Sequence, residues 1–201
     1  MTTEQLILAA AEKEILQKGY DGARTTSIAK EAGVTHAMLH YYFRTKDLLF
    51  ERIVDRCVGT LAQSMVAILG DPNKPLLDRI ESGISAHFDA IAANPLLPKF
   101  FITEVITRPE RHHILLEKVS NVAVLLFSKL QQDLDMAFER GEIVKTDIRM
   151  LLISIISINV MPFIALPLIG QVMSDLTGNK EDFYAKRKAE NVELILKRIK
   201  P

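Results

Sequence analysis

The chain has 201 residues, of which 48% are hydrophobic and 25% are charged, the usage of an ordinary globular protein with a sizeable core. Its 25 basic and 25 acidic residues give a net charge of zero, which counts against strong binding to nucleic acid without sequence preference. The single cysteine, Cys57, excludes an internal disulfide framework and a structural zinc site, and a start without a secretory signal pattern favours a cytoplasmic location.

The first predicted element is a helix that begins after Thr2 and ends near Gly19. Thr2 and Gln5 have the spacing of a capping box, in which each side chain bonds to a backbone N–H of the other residue. Apolar residues from Ile7 to Ile15 recur at steps of three and four, so they share one helical face. We expect this face to cover the next two helices.

Residues 25–43 predict two short helices joined by a tight turn. Ile28 and Ala29 lie on the inner face of the first helix. Gly33 stands where that helix must end in a left-handed conformation, which glycine adopts without a clash. Thr35 can then cap the second helix, because its hydroxyl can accept a bond from an N–H in the first turn. This arrangement predicts a helix-turn-helix.

The second helix of this pair presents a face suited to DNA, because Leu39 and Phe43 point inward and no acidic residue occurs over residues 32–46. Side chains expected to meet base edges are His36, Ala37, Met38 and Tyr41. Side chains expected to meet phosphates are Thr25, Thr26, His40, Tyr42 and Lys46. The alternative is an ordinary helical hairpin inside a bundle.

The order and spacing of four segments follow a known family pattern, and these segments are 7–11, 18–22, 25–35 and 42–49. On these residues the chain resembles the TetR-like bacterial transcriptional regulators. The resemblance implies an all-helical homodimer with an N-terminal DNA-binding domain and a C-terminal domain that holds a small ligand. One position departs from the pattern, because the family usually has a tyrosine at a phosphate contact where this chain has His40.

The rest of the chain also predicts helices. Thr45 can cap a fourth helix that runs to the turn at 70–75, GDPNKP. Later helices are predicted over 76–93, 97–107, 114–140, from Thr146 through the apolar run that follows, and over 181–199. The fold class is therefore all-α, with a three-helix helix-turn-helix domain at 1–47 followed by a helical bundle at 48–201 for ligand binding and dimerisation.

Residues 150–174 carry no charge and are long enough to span a bilayer, so a membrane-associated helical protein is the alternative function. Two prolines, Pro162 and Pro167, are expected to break or kink this run. The resemblance instead implies that the last two long helices pack against their copies in a second chain. We favour that interpretation and expect no membrane partner.

The predicted function is that of a ligand-responsive regulator, a repressor that binds a two-fold symmetric site on double-stranded DNA and is released by a small apolar ligand. Candidate ligand contacts combine apolar bulk with a few polar groups, and these are Met65, His87, Phe88, Phe100, Phe101, Glu104, Phe127 and Asn159. The neighbours His112 and His113 have no third ligand at metal spacing and are expected in a solvated loop. We predict no enzyme activity, metal or cofactor.

Overall fold

The computed structural model of the chain describes residues 1–69 and 74–201, without the side chains of 61–69 and 118–126. Within these ranges every regular element is helical, so the predicted all-α class is confirmed. The α-helices are α1 (Thr3–Gly22), α2 (Thr25–Glu31), α3 (His36–Tyr42), α4 (Lys46–Leu69), α5 (Leu76–Ala93), α6 (Leu97–Phe101), α7 (His112–Glu139), α8 (Ile148–Val172), α9 (Ser174–Thr177) and α10 (Lys180–Ile199). Most of the predicted 70–75 turn lies outside the described residues.

Contacts divide the chain into two compact units. The N-terminal unit comprises Met1–Gly59 and Lys99–Lys118, and the C-terminal unit comprises Thr60–Pro98 and Val119–Pro201. The N-terminal unit therefore contains a segment from the second half of the sequence. The division of function at residues 47 and 48 stays a prediction.

The start and end of α1 have the predicted local chemistry. Thr2 and Gln5 form both bonds of the capping box. Gly19 interrupts the helical conformation with a φ of 71°, which is the left-handed region that favours glycine. The chain then turns at Ala23, which is buried, and enters α2. The capping box depends only on neighbours in sequence, so the local pattern was enough to predict it.

The core of the C-terminal unit lies where α5, α8 and α10 pack on one another. Ile84, Leu151 and Ile195 are all buried in it. Burying an aliphatic side chain of this size contributes about 1.5–3 kcal/mol. A smaller aromatic cluster adjoins it, in which the rings of Phe88 and Phe163 lie 5.2 Å apart.

The expectation that Pro162 and Pro167 break or kink the apolar run is wrong as far as a break is concerned, because α8 continues through both residues. A proline lacks the N–H that would bond to the carbonyl four residues earlier. For Pro162 that carbonyl belongs to Ile158, and the side-chain amide of Asn191 on α10 donates to it at 3.1 Å. A neighbouring helix thus satisfies the acceptor that the proline leaves open.

Two other predicted segments differ from the structure. The single helix expected over 97–107 is α6 followed by a π-helical turn, Ile102–Ile106. His112 and His113 do not lie in a loop, because a short 3-10 turn at Pro109–Arg111 leads directly into α7, which begins at His112. Both histidines are exposed, and among the described residues no group of three or more His, Cys, Asp or Glu side chains could hold a metal ion.

By length and composition alone, α8 is the one helix of the described residues that could cross a membrane. Its most apolar 18-residue window has a mean hydropathy of 2.3, and 28% of that window is buried in the monomer. Core helices of soluble proteins have the same composition, so this property does not decide between a membrane and a protein partner.

Candidate nucleic-acid interface

The turn between α2 and α3 has the geometry that the sequence predicts. Gly33 has a φ of 68°, the Val34 N–H donates to the Ala29 carbonyl at 3.0 Å, and the Gly33 N–H donates to the Lys30 carbonyl at 3.2 Å. These two bonds form a Schellman motif, which satisfies the last carbonyls of α2. The Thr35 hydroxyl accepts a bond from the Met38 N–H at 3.2 Å, which caps α3.

Packing fixes which face of α3 points outward. Helix α2 packs against both α1 and α3. Ile28 and Leu39 are fully buried, and Phe43 is also buried at the end of α3. The opposite face of α3 is therefore exposed, and Tyr41 is the most accessible of its large hydrophobic side chains, with 82% of its surface exposed.

The structure brings all nine predicted DNA contacts into the N-terminal unit, at the start of α2, along α3 and at the start of α4. Seven of them are exposed, and these are Thr26, His36, Ala37, Met38, His40, Tyr41 and Tyr42. Thr25 and Lys46 are half-buried. Their contacts with DNA stay predictions, because exposure shows only that these side chains are available.

Several of these side chains are already ordered by one another. The Thr25 hydroxyl lies 2.9 Å from Nε2 of His36. The His36 and His40 rings meet edge to face with centroids 4.4 Å apart, and Tyr41 and Tyr42 do the same at 5.4 Å. Side chains that are already ordered lose less conformational entropy when they bind a partner.

Lys46 is held beside the ring of Tyr20. Its Nζ lies 4.5 Å from the ring centroid, and the Tyr20 hydroxyl donates a hydrogen bond to Asp47. Burial, and then the bond to Asp47, raises the pKa of Tyr20 to about 12, so the phenol keeps its proton at neutral pH. The first turn of α4 is therefore fixed by Tyr20, a residue near the end of α1.

The proposed ligand contacts divide between the two units. Phe100, Phe101 and Glu104 lie in the N-terminal unit, where Glu104 pairs with Arg111 at 2.6 Å. Of the others, Phe127 packs against the apolar core of the C-terminal unit. The Met65 side chain lies outside the described residues.

His87, Phe88 and Asn159 do come together in the C-terminal unit. The Asn159 amide is fully buried and donates to the Ile84 carbonyl at 3.0 Å and to Nδ1 of His87 at 3.1 Å. Asn159 Oδ1 accepts a bond from Asn191 at 2.8 Å. Burial lowers the pKa of His87 to about 4, so its imidazole is neutral at physiological pH. Sequence reasoning missed Asn191, since nothing in the local pattern of α10 marks it.

The volumes of two cavities among the described residues bear on where a ligand could bind. An apolar void of about 10 Å³, bordered by Leu130 and Ile155, has room for no more than a water molecule. A more polar cleft of about 170 Å³ lies in the N-terminal unit beside Gly19, Phe100 and Glu104. Small-molecule sites are usually ~300 Å³ or larger, so neither cavity by itself identifies the ligand site.

The helix-turn-helix region of the chain is similar in sequence to known bacterial regulators. Residues 7–53 match the family described as "Bacterial regulatory proteins, tetR family". The chain is 33% identical over 84 residues to the HTH-type transcriptional regulator BetI of Brucella anthropi. That match covers 42% of this chain and 43% of the relative, so the chain matches less than half the length of this curated relative.

Solved structures match almost the whole chain. The SCO4942 protein of Streptomyces coelicolor has a TM-score of 0.74 at 22% identity and covers 98% of both chains. A transcriptional regulator of the TetR/AcrR family from Thermobifida fusca has a TM-score of 0.67 at 20% identity and covers 96% of both chains. At these identities the likeness shows the shared fold.

The fold of the N-terminal unit and the exposed face of α3 are those of a helix-turn-helix, a motif that DNA-binding proteins use to read the major groove. With the match over residues 7–53, the chain resembles the TetR-like transcriptional regulators.

Proposed function

We propose that this protein is a repressor that binds a two-fold symmetric DNA operator as a homodimer in the cytoplasm. The observation that carries the proposal is α3, a capped helix with an exposed aromatic face and no acidic residue over 32–46. In a dimer, two such helices would enter successive major grooves about 34–36 Å apart. His36, Ala37, Met38 and Tyr41 would read bases, while Thr25, Thr26, His40, Tyr42 and Lys46 would hold the phosphates.

The outer face of α8 supports the homodimer. Met150, Ile153, Met161, Leu168 and Val172 recur along one side of this helix at the steps of a helical stripe, and between 54% and 76% of each is exposed. Monomeric proteins rarely expose a continuous apolar face of this length. A second copy of α8 would cover it, because a two-fold axis brings the same surface of both chains together.

We favour a second protein chain over a membrane as the partner of the outer face of α8. The opposite side of α8 packs against α5 and α10, and its buried Asn159 is hydrogen-bonded there to the side chains of His87 and Asn191 and to the Ile84 carbonyl. Arg198 of α10 also donates to the Ser154 hydroxyl on α8 at 2.8 Å. Such contacts are those of a helix integrated in a folded protein.

A small apolar ligand would release the DNA. The proposed contacts in the C-terminal unit are Met65, His87, Phe88, Phe127 and Asn159, and those in the N-terminal unit are Phe100, Phe101 and Glu104. A ligand that binds better to the conformation with mismatched recognition helices would shift the population toward it. The polar contacts of His87 and Asn159 beside the aromatic Phe88 support the first group.

Lys46→Ala tests the DNA contact. Because a phosphate contact releases counterions without reading bases, this variant should weaken binding to all operators alike and reduce the salt slope by about one. The measurement is operator affinity over a series of salt concentrations, with an operator set that varies one base pair at a time. The Lys99→Ala variant removes another lysine of the same unit from outside the interface, and it should retain the wild-type slope.

Two outcomes would contradict the proposal in different ways. A wild-type protein that binds no fragment of genomic DNA would contradict the function itself. A Lys46→Ala variant that changes the preference at one base pair would show instead that Lys46 reads a base.

A further inference from the structure

Segment 99–118 brings a buried ion pair into the N-terminal unit. Glu104 is 6% exposed, and its Oε2 accepts a bond from Arg111 Nη1 at 2.6 Å. The same nitrogen donates to the Glu104 carbonyl oxygen at 3.0 Å, so Arg111 is held by two acceptors of one residue. Glu104 lies in the π-helical turn, a rare conformation that is often found at functional positions.

The end of α1 lies directly against the Glu104 side chain of this pair. Gly19 approaches so closely that a Cβ atom there would lie 2.5 Å from Glu104 Oε1. Arg108 adds a second link, because its Nη2 donates to Asp21 at 2.9 Å and its Nε lies 3.7 Å from Glu104. The segment therefore contacts α1 in two places, through the Arg108–Asp21 ion pair and through the close approach of Glu104 to Gly19.

Arg111 extends the contacts to the aromatic side chain of Tyr20. Its guanidinium carbon lies 4.5 Å from the centroid of the Tyr20 ring and 4.7 Å from that of Phe50. These two rings meet edge to face at 5.2 Å. A cation at this distance is attracted by the ring electrons, so Arg111 restrains the position of Tyr20.

Tyr20 also contacts two residues in the first turn of α4. Lys46 Nζ lies 4.5 Å from the same ring, and the Tyr20 hydroxyl donates to Asp47. The contacts therefore run without a gap from Glu104 through Arg111 and Tyr20 to Lys46. Every residue of this series belongs to the N-terminal unit.

We propose that Glu104 and Arg111 are positioning residues for DNA binding, which act on Lys46 through Tyr20. A lysine restrained beside a fixed ring loses less rotamer freedom when it meets a phosphate, so the pair increases the contribution of Lys46 to affinity. The inference rests on the proposed function, because it requires that Lys46 meets DNA. It gives Glu104 a role in DNA binding besides its proposed contact with the ligand.

The experiment is a double-mutant cycle on operator affinity. The double variant Glu104→Gln/Arg111→Met removes the ion pair without leaving a lone buried charge. It should weaken binding roughly two- to fivefold, the fold-change of one cation–π contact, and lower the salt slope. Combined with Lys46→Ala, it should cause less than about half of that loss, because the residue on which it acts is gone.

Two further variants separate positioning from general stability. Arg111→Lys keeps a cation beside Tyr20 and should bind within about twofold of wild type. Arg79→Met/Asp133→Asn removes a buried pair of the same 2.6 Å length in the C-terminal unit and should leave the salt slope unchanged. Thermal melting of each protein shows that it is folded at the temperature of the binding assay.

The outcomes distinguish this inference from the proposed function. An equal fold-loss with and without Lys46 overturns the positioning role while DNA binding stands. Wild-type affinity in Glu104→Gln/Arg111→Met also overturns it, as does a Lys46→Ala variant that binds like wild type. A wild-type protein that binds no DNA overturns both the function and the inference.

Discussion

At the scale of single residues, the three glycines with positive φ differ in what surrounds them. Gly19, Gly33 and Gly141 have φ values of 71°, 68° and 72°. An added Cβ meets nothing within 4 Å at Gly33 or Gly141, whereas at Gly19 it meets the Glu104 carboxylate. At Gly33 and Gly141 only the backbone conformation requires glycine. At Gly19 the nearby Glu104 side chain, from a distant part of the sequence, requires it as well.

Gly19→Ala should therefore destabilise the protein more than Gly141→Ala. In Gly141→Ala the cost is the left-handed conformation of a residue with a Cβ, about 1–2 kcal/mol. In Gly19→Ala the Cβ also displaces Glu104 from Arg111, which adds roughly 1–3 kcal/mol for a weakened charged hydrogen bond. Urea unfolding of both variants measures the difference. Equal free energies of unfolding would show that Glu104 moves aside at no cost.

Sequence reasoning succeeded where a residue depends on its neighbours along the chain. The caps by Thr2, Thr35 and Thr45 are each confirmed, because a hydroxyl and an N–H three residues apart are brought together by the helix itself. Glu104 and Gly19 are 85 positions apart in the sequence. No local pattern relates them, so the close approach of Glu104 to Gly19 could not be predicted from the sequence.

At the scale of secondary structure elements, α8 and α10 depend on each other at Pro162. The sequence predicted that this proline would break or kink the helix, and α8 instead continues because Asn191 donates to the Ile158 carbonyl. Periodicity describes one helix at a time. It could not indicate that the missing donor would come from a side chain 29 positions after the proline.

Asn191→Leu should destabilise the C-terminal unit, and Pro162→Ala should reduce the effect. The leucine leaves the Ile158 carbonyl and the buried Asn159 Oδ1 without their donor, and an unsatisfied polar group costs about 1–3 kcal/mol when it is buried. An alanine at position 162 restores a backbone N–H for the Ile158 carbonyl, so the two substitutions should couple by about 1 kcal/mol or more.

Chemical denaturation of the two single variants and the double variant measures this coupling. The matched control is Pro167→Ala, which restores an N–H one and a half turns farther along α8 and should add to Asn191→Leu without coupling. Additive free energies for both prolines would mean that Asn191 does not replace the lost backbone donor. A coupling as large for Pro167 as for Pro162 would mean the same.

At the scale of the whole molecule, the sequence predicted the all-α class and the helix-turn-helix, because both follow from periodicity and turn chemistry. It did not predict that Lys99–Lys118 belongs with the N-terminal unit, since that grouping depends on contacts such as the Arg108–Asp21 ion pair, which joins residues 87 positions apart. The proposed dimer interface could be predicted from the sequence only in part. The apolar composition of α8 is evident in the sequence, but the side that remains uncovered is evident only once α5 and α10 are in place.

Met161→Glu should therefore separate the proposed dimer. Met161 is 60% exposed on the outer stripe of α8, so the substitution leaves the monomer core untouched while it places a carboxylate in the apolar interface. An unpaired buried charge should raise the dimer dissociation constant by more than about tenfold, or 1.4 kcal/mol. Operator affinity should fall with it, because a monomer presents one recognition helix to a two-part site.

The matched control is Leu116→Glu, since Leu116 is equally accessible, with 63% of its surface exposed, but lies on α7 and outside the stripe. Analytical ultracentrifugation over a concentration series should show a dimer for the wild type and for Leu116→Glu, and a monomer for Met161→Glu at micromolar concentration. If Met161→Glu sediments as a dimer, the outer face of α8 is not the interface. If the wild type is a monomer that still binds a symmetric operator, the second copy joins only on DNA, and α8 does not hold a dimer in solution.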